Sequence, residues 1–175
     1  MEGAGTIQIR SATVRDARAI AEVHVAAWRQ AYRGLLPDDS LDRLSVEERE
    51  KQRREYLEDP LSEWGTLVAD DAGRVVGFST YGPSRDQDAT DSTGEVPAIY
   101  LDPDVVGTGI GRELFAETIA ALRSAGFTRA SLWVLEGNVR ARRFYEKAGW
   151  RWDGTISQHD FDCANRPVVR YTTDL

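Results

Sequence analysis

The chain has 175 residues, of which 41% are hydrophobic and 29% are charged, and its formal net charge is −7. This composition is typical of a soluble globular protein with a sizeable core, and the acidic balance argues against non-specific nucleic-acid binding, which needs Lys and Arg. No apolar run approaches the roughly 18 residues of a membrane span. The sequence starts without the features of a signal peptide, and its single cysteine, Cys163, favours a reducing, cytoplasmic setting.

The first half of the chain predicts a strand, two helices and a hairpin. "TIQIR", residues 6–10, alternates as a strand does. Thr13 is then a helix N-cap, apolar residues follow at helical spacing, and the helix ends near Gly34. "SVEE" is a capping box that opens a second helix, which runs to about Glu58. "WGTLVAD" and "RVVGFSTYG" flank the turn "DAG", which indicates a hairpin.

The second half predicts two strand–helix units and a closing strand. Residues 83–93 are polar and form a loop, and "EVPAIYLD" is the next strand, followed by a glycine segment and a helix to Ser124. "ASLWVL" is a further strand, Asn138 caps a helix that stops at Gly149, and "RPVVRYTTDL" is the last strand. This order predicts an α/β or α+β fold with a partly antiparallel sheet, in one domain across residues 1–175.

The glycine segment "VVGTGIGREL", residues 105–114, has the character of a phosphate site. A dinucleotide fingerprint fits poorly because its third glycine position is Arg112, and a P-loop is excluded because no G-K-[ST] follows. Glycines at the first turn of a helix still leave backbone N–H groups free to hold phosphate oxygens. Arg112 could add one charge contact. A glycine-rich turn without a ligand remains the alternative.

This segment resembles the acyl-coenzyme-A motif of the GNAT superfamily of N-acetyltransferases, [QR]-x-x-G-x-[GA], with Val106 at the first position. The resemblance continues through "EVPAIYLDPDVVGTGIGRELFAETIAALRSAGF" and "ASLWVLEGNVRARRFYEKAGW". "AWRQAYRGLLPD" is similar to the first helix and acceptor-side loop of one bacterial subgroup. Nearly the whole chain is covered.

The resemblance implies a mixed, mostly antiparallel central sheet of about six or seven strands flanked by about four helices, bulged in its fourth strand and splayed between the fourth and fifth. It implies that a backbone N–H near Leu101 polarises the thioester carbonyl. Pro97, which cannot donate to a sheet ladder, suits an irregular strand. The residues expected to contact coenzyme A are Ile99, Tyr100, Leu101, Val106, Gly107, Thr108, Gly109, Ile110, Gly111, Arg112 and Asn138.

The implied activity is transfer of an acetyl group from acetyl-coenzyme A to a primary amine in a ternary complex. Tyr145, two helical turns from Asn138, is the expected general acid, although it could simply pack in the core. Glu95 is the expected base, against the alternative of an exposed strand-end glutamate. Glu136 is a weaker candidate. His24 could titrate near neutrality, but a lone histidine in a helix is usually a packing or surface residue.

Trp28 and Tyr32 are expected to line the acceptor pocket, although aromatic residues at this spacing are more often core. The expected acceptor is a small-molecule or peptide amine whose identity the sequence leaves open. The sequence also leaves open whether the chain forms a homodimer. "HDFDC", residues 159–163, superficially suggests metal ligands, but we expect no metal. We also expect no nucleic-acid or membrane partner. A non-catalytic acyl-coenzyme-A-binding sensor is the alternative function.

Overall fold

A computed structural model describes residues 6–59, 62–161 and 164–175. The strands form one seven-stranded sheet in the order β1-β2-β3-β4-β5-β7-β6, in which only β4 and β5 run parallel. The strands are β1 (Ile7–Ser11), β2 (Gly65–Asp71), β3 (Arg74–Pro83), β4 (Thr93–Leu101), β5 (Arg129–Leu135), β6 (Arg151–Asp160) and β7 (Asn165–Asp174). The helices are α1 (Ala17–Ala31), α2 (Asp38–Asp42), α3 (Val46–Glu58), α4 (Ile110–Ser124) and α5 (Val139–Lys147). The predicted fold class is confirmed.

The sequence missed two elements, α2 and β6. Helix α2 has only five residues and follows Pro37, where a loop was expected. Strand β6 lies at the edge of the sheet, and almost every residue in it is exposed. Because neither face of β6 is buried, its sequence lacks the apolar alternation that identifies a strand. Thr13 is also the N-cap of a 3₁₀ turn, Val14–Asp16, rather than of α1 itself.

The hairpin predicted at "DAG" joins β2 and β3 through two residues. Ala72 and Gly73 both have positive φ, 51° and 94°. Two such residues in succession are typical of the type I′ turn, whose twist matches that of the flanking strands.

The register of β4 changes where the site begins. Thr80 of β3 pairs with Ala98, but Gly82 pairs with Glu95, so β4 carries one extra residue near Pro97. On its other edge β4 pairs with β5 only over Thr93–Glu95, opposite Arg129–Ser131. Beyond Glu95 the two strands separate, which leaves the edge of residues 99–101 facing a gap. The predicted bulge and splay are both present.

Helices cover the two faces of the sheet differently. On one face, Ile20 and Val23 of α1 pack with Val68 and Phe78 of the hairpin. On the other, α4 and α5 pack against β5 and β7 in a cluster of buried side chains: Val96, Phe115, Leu122, Ala130, Leu132, Val134, Tyr145, Trp150, Val169 and Tyr171. The gap between β4 and β5 therefore connects the α1 and α3 side with the α4 and α5 side.

A charged network fixes the start of α1 to the first two strands. Arg10 donates from its two Nη atoms to Asp16, both at 2.9 Å, and from Nε to Asp70 at 3.0 Å. Asp16 also accepts from the Thr13 backbone N–H at 2.7 Å. The hydrogen bonds from Arg10 lower the pKa of Asp16, against the opposing effect of burial.

Because the pKa of Asp16 is lower in the folded protein, its contribution to stability is present above the ordinary pKa of an aspartate and is lost as pH falls through the folded value. We expect Asp16→Asn to reduce the free energy of unfolding by about 1–3 kcal/mol at neutral pH and by less at about pH 3. Urea unfolding across this range measures the effect, with the exposed Asp91→Asn as control. A loss that is the same at both pH values would contradict this role.

Candidate active site

The turn before α4 presents free backbone donors. Gly107 and Gly109 have positive φ, 87° and 98°, and a Cβ on either would meet open space. No described residue accepts a hydrogen bond from the backbone N–H of Gly107, Gly109, Ile110 or Gly111. Four unpaired N–H groups at the positive end of a 15-residue helix form a cradle for phosphate oxygens.

The other residues of the segment support this cradle in different ways. The Thr108 hydroxyl donates to the Val105 carbonyl at 2.6 Å and holds the turn. Gly111 is a glycine for a reason that the sequence did not indicate: its Cβ would lie 2.9 Å from Cδ1 of Leu101. The absence of a side chain at Gly111 thus allows α4 to pack closely against β4. The expected reason was different, namely that it allows a diphosphate to approach the turn. Val106 is half-buried after a 3₁₀ turn, and Arg112 is exposed with no ion pair to a described residue.

The splayed edge of β4 carries Ile99, Tyr100 and Leu101. The N–H of Asp102 donates to the Val76 carbonyl of β3 at 2.8 Å. Because N–H groups alternate between the two edges of a strand, those of Leu101 and Ile99 point away from β3 and into the gap. The N–H that the resemblance assigns to the thioester carbonyl thus faces the expected side.

Tyr145 lies at the gap, on the α5 side. Its ring is 5.6 Å from that of Phe115 and 5.4 Å from that of Phe144. Burial raises the pKa of Tyr145, with a further contribution from Tyr100 across the gap. Within the described chain no group hydrogen-bonds to its hydroxyl, which is therefore protonated and available. Asn138 caps α5, as predicted, by accepting from the Ala141 N–H at 3.1 Å.

Glu95 is buried, so the alternative of an exposed strand-end glutamate is wrong. Its carboxylate accepts three hydrogen bonds from Arg85: from the backbone N–H at 3.1 Å, Nε at 3.2 Å and Nη2 at 2.9 Å. Arg85 was not singled out from the sequence because it lies in a polar loop without periodicity. Glu136, the weaker candidate, is exposed beyond the end of β5.

Aromatic side chains fill the α1 side of the gap. The hydroxyls of Tyr32 and Tyr100 are 3.1 Å apart, and the ring of Trp28 meets that of Tyr32 edge-on at 5.1 Å. Trp28 borders a pocket of about 350 Å³ between α1, α2 and α3, which Arg49 and Phe161 also line. Tyr32 is buried behind Trp28 and is absent from the pocket lining.

His24 is a packing residue and does not titrate near neutrality, which is the more usual of the two alternatives for a lone histidine in a helix. Burial, together with the positive charges of Arg49 and Arg53, lowers the pKa of His24 to about 3. Its ring stacks on Tyr100 at 5.5 Å. The imidazole is neutral throughout the physiological pH range.

Among the described residues, no cluster of three or more His, Cys, Asp or Glu side chains could hold a metal. Asp162 and Cys163 of "HDFDC" lie outside the described residues. No helix in the described ranges is long and apolar enough to span a bilayer.

Known proteins show the same sequence features and the same fold. The sequence model of the Acetyltransferase (GNAT) family matches residues 17–150. The uncharacterized N-acetyltransferase YuaI of Bacillus subtilis is 37% identical over 75% of this chain and 73% of its own length. Rv2775 of Mycobacterium tuberculosis, named a probable N-acetyltransferase, is 30% identical over 94% of this chain and 92% of its own.

A solved structure shares the fold across almost the whole chain. The PaiA N-acetyltransferase of Thermoplasma acidophilum, in complex with coenzyme A, superimposes with a TM-score of 0.79 over 97% of this chain and 99% of that one. At 18% identity this likeness shows the fold alone.

The chain belongs to the GNAT family of acetyltransferases. The predicted activity, transfer of an acetyl group from acetyl-coenzyme A to an amine, is confirmed at the level of the family.

Gly109→Glu tests the cradle. We expect the carboxylate and the unfavourable backbone to weaken coenzyme A binding at least about a hundredfold, since a negative charge would occupy the phosphate position. Isothermal titration with coenzyme A measures the affinity. Gly126→Glu is the matched control, because Gly126 also has a positive φ and open space but follows the other end of α4. Equal affinities in the two variants would refute the assignment.

Proposed function

We propose that this chain, acting as a single domain in the cytoplasm, acetylates a small-molecule primary amine by direct transfer in a ternary complex. The observation that carries the proposal is the presence of two sets of free backbone N–H donors, one in the turn before α4 and one on the open edge of β4. The N–H groups of Gly107, Gly109, Ile110 and Gly111 suit the diphosphate, and those of Ile99 and Leu101 face the gap for the coenzyme arm. The pocket beside Trp28, of about 350 Å³, has a size that suits a small acceptor.

Acetyl-coenzyme A supplies the acetyl group as a thioester. The N–H of Leu101 polarises the thioester carbonyl, so that the amine lone pair forms the new C–N bond as the C–S bond breaks. Tyr145 gives its phenolic proton to the departing sulfur, which leaves with the C–S electron pair. Glu95 accepts the surplus proton of the amine through water, and proton exchange with solvent restores Tyr145.

Burial makes Tyr145 a weaker acid, which at first sight opposes this role. The thiolate forms in the same dry gap, however, and burial disfavours its charge in the same way. Because burial raises the pKa of both acids, proton transfer from Tyr145 to the thiolate is closer to balanced than their values in water suggest. The unpaired hydroxyl needs to break no hydrogen bond to the described protein before it donates.

Tyr145→Phe removes only the proton donor. We expect kcat to fall at least about tenfold while coenzyme A affinity changes little, because the ring remains in the core. Steady-state thiol release and calorimetry measure the two quantities. Tyr171→Phe removes a hydroxyl from the same cluster of buried side chains and serves as control, since that hydroxyl bonds to Glu146 and Arg142. Unchanged turnover in Tyr145→Phe would eliminate it as the acid.

Glu95 is the best-placed carboxylate for the amine proton. It lies at the point where β4 separates from β5. Oε2 accepts two hydrogen bonds from Arg85 and Oε1 accepts one, so Oε1 retains a free lone pair. The ion pair with Arg85 fixes the orientation of the carboxylate.

We expect Glu95→Gln to lower kcat/KM about a hundredfold, because the amide cannot take up a proton. The exposed Glu117→Gln on α4 is the control. Thiol release measured across pH distinguishes loss of a base, which abolishes the acid limb of the profile, from loss of packing, which scales it uniformly. A larger loss in Glu136→Gln would transfer the role to that residue.

The Arg85–Glu95 ion pair also supports the second function, a non-catalytic acyl-coenzyme-A sensor. Arg85 occupies most of the acceptor capacity of this carboxylate. Addition of acetyl-coenzyme A to a panel of primary amines separates the two functions. Saturable coenzyme A binding without thiol release on any amine would establish the sensor.

A further inference from the structure

Four buried polar atoms lack a hydrogen-bond partner within the described residues, and all lie on the α1 and α3 side of the sheet. They are His24 Nε2, Trp28 Nε1, the Tyr56 hydroxyl and the Thr66 hydroxyl. Buried polar groups are normally paired, and each unpaired group costs about 1–3 kcal/mol. The Tyr56 hydroxyl has the hydroxyls of Ser62 and Thr66 as longer-range neighbours, and Trp28 has that of Tyr100. His24 Nε2 is the most isolated of the four atoms, and it lies beside Arg49 and Arg53.

A guanidinium lies at the centre of this region. Arg53 of α3 is 5.0 Å from the ring of Phe78 and 5.4 Å from that of Tyr56, and its Nη1 is 3.4 Å from the Thr80 hydroxyl. The ring of Phe78 is also 6.0 Å from that of His24. Arg53 thus packs against Tyr56 of its own helix and against Phe78 of β3, whose ring also contacts His24 of α1.

Arg53 has no carboxylate partner in the described part of the chain. Other shielded arginines have one: Arg170 pairs with Asp86, Asp88 and Asp153, and Arg10 pairs with two aspartates. Burial, aided by the neighbouring charge of Arg49, lowers the pKa of Arg53. An uncompensated, partly desolvated cation is costly unless an anion joins it.

The region lies directly beside the reacting edge of β4. Thr80 and Phe78 of β3 pair with Ala98 and Tyr100 of β4. The other edge of β4 faces the gap. The glycine cradle belongs to α4, which contacts the opposite face through Thr118 and Ser79. Arg53 therefore lies on the face of the sheet opposite the glycine cradle, which is the face left for the acceptor. Trp28 and Arg49 line the pocket on this face, and each is one helical turn from His24 or Arg53.

We propose that Arg53 binds an oxyanion of the acceptor, a carboxylate or a phosphate carried by the same molecule as the amine. This rests on the proposed function, since it names the substrate class of the same site. The guanidinium offers two parallel donors to such a group.

The test compares matched pairs of amines: an amino acid with its methyl ester, and an aminoalkyl phosphate with the corresponding amino alcohol. We expect kcat/KM to be at least about tenfold higher for the charged member of one pair, which identifies the oxyanion. Arg53→Gln should abolish that preference, Arg53→Lys should keep part of it, and Arg54→Gln should keep all of it. Arg54 is the control because it is exposed and pairs with Glu50 at 3.1 Å. Equal turnover within both pairs, or preference retained in Arg53→Gln, overturns the proposal.

A binding measurement keeps this result separate from catalysis. With coenzyme A bound, so that the cradle is filled, inorganic phosphate or acetate should raise the Tm of the wild-type protein and of Arg54→Gln more than that of Arg53→Gln. The same shift in all three overturns the oxyanion site. A shift confined to proteins with Arg53, without turnover of any amine, refutes the proposed activity and supports the oxyanion site.

Discussion

The separation of β4 from β5 is the constraint on which the site depends. Parallel neighbours in a sheet usually satisfy each other's backbone groups along their length, but here pairing stops at Glu95. Pro97 and the extra residue of the bulge turn β4 away. The backbone groups on this edge of β4 are left without the partner strand that would otherwise lie there.

Charge is distributed unequally around this opening. On the β5 side, Glu95 and Asp86 are held by arginines from the loop and from β7, so the carboxylates there are ordered and compensated. On the α3 side, burial keeps His24 neutral, and the charges of Arg49 and Arg53 add to this effect. A protein with a net charge of −7 thus has two arginines, Arg43 and Arg49, in the lining of the pocket beside Trp28, which net charge alone does not reveal.

Features set by local sequence were predictable, whereas those set by partners distant in sequence were not. The Asn138 cap and the Ala72–Gly73 turn depend on a few adjacent residues, and the glycine segment carries its own backbone geometry. Strand β6 was missed because neither face is buried. The burial of Glu95 under Arg85 depends on how separate elements meet, and so does the lack of an acid beside Arg53 among the described residues. The close approach of Leu101 to Gly111 could not be predicted either, because the two residues lie on different elements.

The contact between Gly111 and Leu101 has a consequence for how the coenzyme is positioned. The Leu101 side chain occupies space left by two glycines, since a Cβ on Gly77 would lie 2.6 Å from its Cδ2 and one on Gly111 would lie 2.9 Å from its Cδ1. The start of α4 and the end of β4 therefore touch directly, with no flexible segment between the phosphate donors and the thioester donor. In the proposed mechanism this contact sets the length between the two groups of donors, and with it the position of the acyl carbon. Adaptation to a new acceptor must then come from α1 and α3, which can change without disturbing that length.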